Sequence, residues 1–154
     1  MNQREIKFRV WDKFCEHMDY PGKKTGLVIG LDGRILSPIM DMKGVTIGQF
    51  YDYKDDFILM QFTGLKGKCS KEIYDGDIVE YKVKKHSKKA KYEVLWCEFG
   101  KWTLERLDSD GYASVGFVEW KKCKIIGSIY ENQELLVEKK NEQMQDVQTE
   151  NNKE

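Results

Sequence analysis

IYDGDIVEY, residues 73–81, places a tight turn directly before a strand, and this stretch decides the fold class. Gly76 allows the backbone to reverse, because glycine adopts positive φ angles without a steric penalty. Asp75 and Asp77 flank the glycine, and the Asp77 carboxylate can accept backbone amide hydrogens within the turn. Apolar residues from Ile78 onward then begin a strand. Turns of this kind open small SH3-like barrels, so the stretch predicts such a barrel here.

The chain on the amino-terminal side of this turn also has the patterns of β-structure. EIKFRVWD, residues 5–12, alternates apolar side chains at 6, 8 and 10 with basic ones at 7 and 9, which is typical of a half-buried strand. GLVIGLDGRILSPIM, residues 26–40, holds Asp32 and Gly33 between two aliphatic runs, and this dipeptide predicts a β-hairpin. FILMQF, residues 57–62, is a short apolar run rich in strand-forming residues.

Two further segments on the carboxyl-terminal side complete the strand pattern. KYEVLWCEFGKWTLERL, residues 91–107, predicts two strands that meet at Gly100 and Lys101. The first of them has apolar side chains on both faces, which predicts that both faces are covered, in a small barrel or in an interface. KCKIIGSIY, residues 122–130, predicts a last strand in which Gly127 permits a bulge.

These patterns predict an all-β fold, an SH3-like small barrel with additional amino-terminal strands and a hairpin. We divide the chain into an amino-terminal β segment that packs on the barrel (1–62), the barrel (63–136) and a charged tail (137–154). The tail carries acidic residues at every fourth position from 134 to 154, which stacks like charges on one helical face. Because the tail also has few apolar side chains, we predict that it is disordered.

The composition excludes binding that is driven by the net charge of the protein, but it allows binding through a locally charged surface. The 26 basic and 26 acidic residues cancel, so no net field attracts the protein to nucleic acid or to a membrane surface. Charge is unevenly placed, because residues 82–91 carry only positive charges and residues 131–154 hold an excess of acidic ones. The sequence has no secretory signal and no apolar segment long enough to span a membrane, which predicts a cytoplasmic protein without membrane contacts.

The cysteines and histidines give weak signals for chemistry. The four cysteines are widely spaced without a CxxC pair, so we expect reduced thiols. Cys15 and His17 could supply two metal ligands, but a structural zinc site needs four and the sequence shows no second pair. We therefore predict no metal and no cofactor. The sequence also contains no recognisable catalytic motif and no third group to orient a Cys15–His17 pair, so we predict a non-catalytic protein.

Three motifs resemble those of the YopX family of bacteriophage and prophage proteins. They are EIKFRVWD at residues 5–12, LMQFTGLKGKCSKEIYDGDIV at 59–79 and IIGSIYENQELL at 125–136. The resemblance implies an all-β, SH3-like barrel and a cytoplasmic protein in an infected bacterium. The family has no established activity, so the resemblance implies no catalytic residues.

The chain departs from the family pattern at a few positions. Phe62 replaces the usual tyrosine, and Gln133 replaces a proline. Gly67, Cys69 and Ser70 replace the family's D-x-N-G turn. Serine does not favour positive φ angles as glycine does, so these changes leave the conformation of this turn open.

The basic segment between two predicted strands is the candidate binding site. Its lysines could neutralise several phosphates, and the aromatic residues near it in sequence could stack on the bases of a single strand. Lysine without arginine favours attraction to phosphate over the recognition of bases. The alternative is a solvated loop whose lysines discourage unwanted strand pairing. The predicted nucleic-acid-binding residues are Lys82, Lys84, Lys85, Lys88, Lys89 and Lys91, with Tyr81, Trp96 and Trp102.

Two alternatives to nucleic-acid binding remain open from the sequence. The central family motif, with Gly64, Asp75, Gly76 and Asp77, is explained by a structural turn, although its acidic residues beside Tyr74 could instead bind a cation or a basic partner. The whole protein could also be a protein-interaction or assembly module that binds host or phage proteins or forms a homo-oligomer through its aromatic strand. Salt distinguishes nucleic-acid binding from an apolar assembly contact, because phosphate binding weakens steeply as salt rises and an apolar contact does not.

Overall fold

The computed structural model describes residues 5–20, 28–30, 32, 34–40, 43, 46–52, 55–83, 87–107 and 118–136. The chain forms two compact units, Met1–Phe62 and Thr63–Glu154. The sheet pairings β1–β2, β1–β6, β3–β4, β4–β5, β8–β9, β8–β11 and β9–β10 are antiparallel, and the helical segments of the described residues are short 3-10 turns. The predicted all-β fold class is therefore confirmed. The predicted tail, residues 137–154, lies outside the described residues.

The first unit contains strands β1 to β5 and the beginning of β6. The strands are β1 (Phe8–Asp12), β2 (His17–Asp19), β3 (Val28–Ile29), β4 (Ile35–Met40), β5 (Thr46–Asp52) and β6 (Phe57–Lys66). β1 lies between β2 and β6, and β3, β4 and β5 form a separate sheet in that order. β3 and β4 form the predicted hairpin, which is closed by a hydrogen bond from the Gly30 amide to the Arg34 carbonyl oxygen. Gly33 itself lies outside the described residues.

Burial along β1 differs from the predicted alternation. Val10 is fully buried and packs with Ile35 and residues of β6. Arg9 and Trp11, on the opposite face, are buried too, whereas Ile6 lies before the strand and is 70% exposed. β1 is thus covered on both faces from residue 9 to residue 11. The prediction of a half-buried strand starting at Ile6 was wrong in this respect. The alternation of apolar and polar residues does not indicate that an arginine and a tryptophan on the second face are buried as well.

The second unit is built around a four-stranded sheet in the order β10-β9-β8-β11. β7 (Glu72–Tyr74) is hydrogen-bonded to β6, and the four sheet strands are β8 (Asp77–Tyr81), β9 (Ala90–Cys97), β10 (Lys101–Arg106) and β11 (Lys124–Ser128). This arrangement is compatible with the predicted SH3-like barrel. Three 3-10 turns, Lys68–Ser70, Trp120–Lys122 and Gln133–Leu135, connect or follow these strands.

The Asp75–Gly76 turn directs β7 and β8 into different sheets. Gly76 has a φ angle of 71°, and the Asp77 carboxylate accepts a 2.8 Å hydrogen bond from the Tyr74 amide while only 1% exposed. The Gly76 amide donates to the Val94 carbonyl oxygen. The turn is therefore hydrogen-bonded to β9 as well as within itself. These structural roles are sufficient to explain the glycine and the aspartate at these positions.

The core of the second unit lies on one face of its sheet. The buried residues that pack together are Ile73, Val79, Tyr81, Tyr92, Val94, Leu104 and Cys123. Fully burying a side chain of this kind stabilises the fold by about 1.5–3 kcal/mol relative to its exposure.

The β9–β10 hairpin ends in the predicted turn, with Gly100 at φ 69°. At this tip Trp96 and Phe99 are 51% and 79% exposed, so the prediction that both faces of this strand are covered was wrong for its distal end.

Gly127 forms the predicted bulge in β11. The register of β11 against β8 shifts between Ile125 and Gly127. A Cβ atom at Gly127 would lie 2.7 Å from Cγ of Asn132, closer than real Cβ contacts allow. Glycine therefore allows the chain after β11 to fold back closely over the bulge.

The turn between β6 and β7 contains two strained residues. Cys69 and Ser70 have φ angles of 58° and 59°. They occupy the positions where the YopX pattern has asparagine and glycine, which tolerate the left-handed conformation better than other residues. The turn thus keeps the conformation that the family pattern predicts, at the cost of strain in this chain.

Restoring glycine in this turn should stabilise the protein. We expect Ser70→Gly to raise the free energy of unfolding by about 1 kcal/mol, because a left-handed conformation costs an L-residue about that much. For a chain of this length the melting temperature should rise by about 2–4 °C. Thermal unfolding followed by circular dichroism measures the shift, with Ser70→Ala as the control that keeps the strain. Equal melting temperatures for the glycine and alanine variants would contradict the argument.

A lysine-lined cleft as the candidate functional site

A cleft of about 530 Å³ lies in the second unit where three segments of the chain meet. These segments are the 3-10 turn after β6, the carboxyl end of β8 with the residues that follow it, and the turn that leads into β11 with the first residue of that strand. Lys89, which directly precedes β9, also lines the cleft. Basic side chains dominate the lining, which consists of Lys68, Lys82, Lys89, Lys122, Lys124, Glu80, Glu119, Tyr81 and Val83. Five lysines against two glutamates give the lining a net charge of about +3.

Backbone hydrogen bonds hold the segments of the cleft together. The Lys68 amide donates to the Cys123 carbonyl oxygen at 2.8 Å, and the Cys123 amide donates to the Trp120 carbonyl oxygen at 2.9 Å. On the sheet, Lys124 of β11 lies directly opposite Glu80 of β8. The fold therefore brings Lys68 and Lys124 to one place, although they are far apart in the sequence.

Both glutamates that line the cleft form ion pairs with lysines. Lys89 Nζ lies 2.7 Å from Glu80 Oε1, and Lys122 Nζ lies 2.7 Å from Glu119 Oε1. The hydrogen bond from Lys89, with the positive charges of Lys89, Lys124 and Lys68, lowers the pKa of Glu80. The side chain of the lysine is 65% exposed in each pair, so both pairs are weak and can open to an incoming anion.

Three lysines of the cleft remain available for a ligand. Within the part of the chain that the structure describes, no ion pair is formed by Lys68, Lys82 or Lys124. Like charges on converging side chains repel one another, and an anion between them would relieve this repulsion. The cleft thus has the charge and the shape to hold a phosphate group or a short anionic segment.

The floor of the cleft is structural. Tyr81 is only 3% exposed and packs edge-to-face on Tyr92, with ring centroids 6.2 Å apart. Its hydroxyl accepts a 3.2 Å hydrogen bond from the Glu119 amide. Tyr81 therefore presents no free ring face to a base in this structure, but it fixes the segment that carries Glu119 and Lys122.

The structure brings some of the predicted nucleic-acid-binding residues together and separates others. Lys82 and Lys89 line the cleft, Lys88 is exposed beside Lys89, and Lys91 lies half-buried within β9. Residues 84–86 lie outside the described residues.

The two predicted tryptophans lie at the other end of β9. Trp96 packs edge-to-face on Trp102, with ring centroids 5.1 Å apart. Trp96 is six positions along β9 from Ala90, which pairs with Tyr81 beside the cleft. At about 3.3 Å per residue this is a distance of about 20 Å. The two tryptophans are therefore not placed to stack on a base whose phosphate is in the cleft.

Three basic residues of the cleft were absent from the sequence prediction. They are Lys68, Lys122 and Lys124. The basic run KKCK at 121–124 was a usable signal, since it overlaps the start of the last predicted strand. Lys68 gave no such signal, because it lies in a turn between two strands and reaches the cleft only through the tertiary fold.

A second depression, of about 470 Å³, lies at the tip of the β9–β10 hairpin. It is lined by apolar side chains that include the exposed Trp96 and Phe99 and the half-buried Leu95. Glu98 and Glu105 are its charged lining residues. Exposed aromatic surface of this kind is enriched in protein interfaces.

Two acidic residues of the central motif form hydrogen bonds with Tyr74. Glu72 accepts a 2.9 Å hydrogen bond from the Tyr74 hydroxyl, and buried Asp77 accepts the Tyr74 amide. In the described ranges, the only group of metal-ligand atoms found close together is at Asp12, Cys15 and His17. No helix among the described residues is long and apolar enough to cross a membrane.

Comparisons with known proteins identify the family of the chain. No curated protein matches it. Its fold is similar to protein yopX from Bacillus subtilis, with 26% sequence identity, a TM-score of 0.52 and coverage of 84% of this chain and 95% of that one. It is also similar to protein EF1440 from Enterococcus faecalis, with 23% identity, a TM-score of 0.51 and coverage of 87% and 99%. The family model described as YopX protein matches residues 7–137, and the chain therefore belongs to the YopX family.

Proposed function

We propose that this protein is a non-catalytic phage or prophage protein that binds nucleic acid in the bacterial cytoplasm through the lysine-lined cleft. One observation carries the proposal: Lys68, Lys82 and Lys124 converge from three segments on one cleft, without ion pairs in the described part of the chain. Nucleic-acid phosphates are the abundant polyanions that such a cleft attracts.

The composition of the cleft predicts how the protein binds. Lysines act as point charges on flexible stems and recognise phosphate without the bidentate geometry that arginine offers to guanine. None of the described residues that line the cleft is an arginine. Binding should therefore depend little on base sequence and strongly on salt.

Salt dependence tests this proposal directly. Three phosphate contacts on a single strand give a slope of about −2 in a plot of log affinity against log salt, so affinity should fall about 20-fold between about 50 and 200 mM salt. Fluorescence anisotropy of labelled single-stranded DNA, duplex DNA and RNA measures it. Mixed-sequence and homopolymer probes of equal length should bind with similar affinity. Absence of binding to all probes at the lowest salt would reject the proposed function.

The hairpin tip supports a second candidate function, a protein-interaction or assembly module. Trp96 and Phe99 are exposed beside the apolar depression, and such surface binds protein partners or a second copy of the chain. An apolar contact of this kind should persist at salt concentrations that release nucleic acid. Analytical ultracentrifugation at low and high salt therefore separates self-association through the tip from association through charge.

A further inference from the structure

The β1–β2 hairpin of the first unit brings together three side chains of different metal-ligand types. Asp12 and His17 are direct partners across the two strands, and Cys15 lies in the turn between them. One ligand atom from each residue lies within 4.8 Å of those of the other two. A carboxylate, a thiolate and an imidazole form a donor set that suits zinc and related divalent metals.

Local hydrogen bonds hold this hairpin turn in place. Asp12 Oδ1 accepts hydrogen bonds from the Phe14 and Cys15 amides, both at 2.8 Å. These bonds fix the Asp12 carboxylate over the turn, and they fix the backbone of Cys15 beside it. The Lys13 amide also donates to the Asp56 carbonyl oxygen at 3.0 Å, so the turn is anchored to the start of β6. The ligand atoms therefore need only small side-chain rotations to converge on one ion.

A fourth residue, Asp19, contacts His17 as a carboxylate often contacts a metal-binding histidine. His17 Nε2 lies 2.9 Å from Asp19 Oδ2, and the Asp19 side chain is only 17% exposed. A carboxylate that accepts a hydrogen bond from one imidazole nitrogen fixes the ring and makes the other nitrogen a stronger ligand.

We propose that Asp12, Cys15 and His17 bind a divalent transition-metal ion of the zinc class, with Asp19 as the positioning residue that orients His17. The sequence prediction of no metal rested on the Cys15–His17 pair alone, for which the sequence showed no further ligand. The fold adds Asp12 as the third ligand and Asp19 as support. Water completes the coordination at this exposed turn, because zinc sites with three protein ligands keep an open position.

Cobalt(II) titration of the full-length, reduced protein tests the site. Cobalt substitutes for zinc and is coloured, and a thiolate ligand adds a charge-transfer band in the near ultraviolet. We expect this band to appear at a stoichiometry of one cobalt per chain and to disappear when zinc is added. Cys15→Ser should abolish the band, whereas Cys69→Ser, which removes another exposed thiol in the second unit, should leave it unchanged.

The positioning role of Asp19 has its own test. Asp19→Asn should keep the charge-transfer band but weaken metal affinity about 10- to 100-fold, as loss of such a partner does in other metal sites. Circular dichroism checks that each variant is folded. A band that survives Cys15→Ser, or that Cys69→Ser removes, would overturn the proposal. The outcome is independent of nucleic-acid binding, because this cluster and the lysine-lined cleft lie in different units.

Discussion

Cys123 is expected to react with a thiol reagent about a thousandfold more slowly than an ordinary cysteine near pH 8. Its side chain has no exposed surface, and burial raises the pKa of the thiol from 9.0 to about 12. Only the thiolate attacks the reagent, and a shift of this size lowers the thiolate fraction about a thousandfold. Reagent access to the buried sulfur lowers the rate further.

The same shift determines how stability changes with pH. Because the folded state raises the pKa of this thiol, the folded state binds the proton more tightly than the unfolded state does. The contribution of the neutral thiol to stability is therefore complete below about pH 9 and is lost as the pH rises towards about 12. We expect the reactivity of Cys123 to increase with pH throughout this range.

Two single-cysteine variants measure this protection. One keeps Cys123 with the other three cysteines changed to serine, and the other keeps only the exposed Cys69. The rate of reaction with a chromogenic disulfide is compared for the two variants, first in native buffer and then in denaturant. The rates should differ by at least about a thousandfold in native buffer and become similar in denaturant. Similar rates in native buffer would show that the core around Cys123 is open.

Protection of Cys123 also reports the integrity of the lysine-lined cleft. The carbonyl oxygen of Cys123 accepts the Lys68 amide, and Lys124 is the next residue in the chain. A variant that disturbed the convergence of these segments would expose the sulfur. The thiol rate is therefore a suitable folding control for substitutions within the cleft.

The sequence predicts the parts of this fold that neighbouring residues determine. The β9–β10 hairpin follows from strand-forming runs on both sides of Gly100, and the Gly127 bulge follows from a glycine within an apolar strand. The turn before β8 follows from Gly76 and from the ability of the Asp77 side chain to accept an amide hydrogen. In each case the local backbone conformation leaves few alternatives.

The cleft could not be predicted in the same way, because it depends on contacts between distant segments. The basic run 82–91 supplies Lys82 and Lys89, but Lys68 and Lys124 reach the cleft through the pairing of β8 with β11 and the hydrogen bond at Cys123. The exposure of Trp96 was missed for a related reason. Alternation indicates which side chains share a face but not how far along a strand that face is covered.

Charge reversal of Lys68 and Lys124 is expected to weaken nucleic-acid binding about a hundredfold at low salt. An exposed charge pair contributes up to about 1 kcal/mol, and a reversal both removes an attraction and adds a repulsion. Two reversals therefore cost about 2–3 kcal/mol, which corresponds to about a hundredfold in the dissociation constant. The loss should shrink as salt rises, because salt screens the remaining charges.

A matched variant separates the cleft from net charge. Lys68→Glu/Lys124→Glu and Lys71→Glu/Lys101→Glu both change the formal net charge from 0 to −4, but only the first pair lines the cleft. Lys71 directly follows the turn that carries Lys68, and Lys101 is the first residue of β10; both are exposed, and neither lines the cleft. Fluorescence anisotropy should show the large loss for the cleft variant and a loss of a few-fold for the other, with Cys123 protected in both.

Each alternative outcome has a distinct physical meaning. Equal losses in the two variants would show that nucleic acid responds to overall charge, in which case the convergence of Lys68, Lys82 and Lys124 would not be the binding site. Loss of Cys123 protection in the cleft variant would mean that its weaker binding results from unfolding. The variant Lys82→Glu would then test the cleft with less effect on its backbone contacts, because Lys82 follows β8. A selective loss with Cys123 still protected would establish that the phosphates bind where the three segments meet.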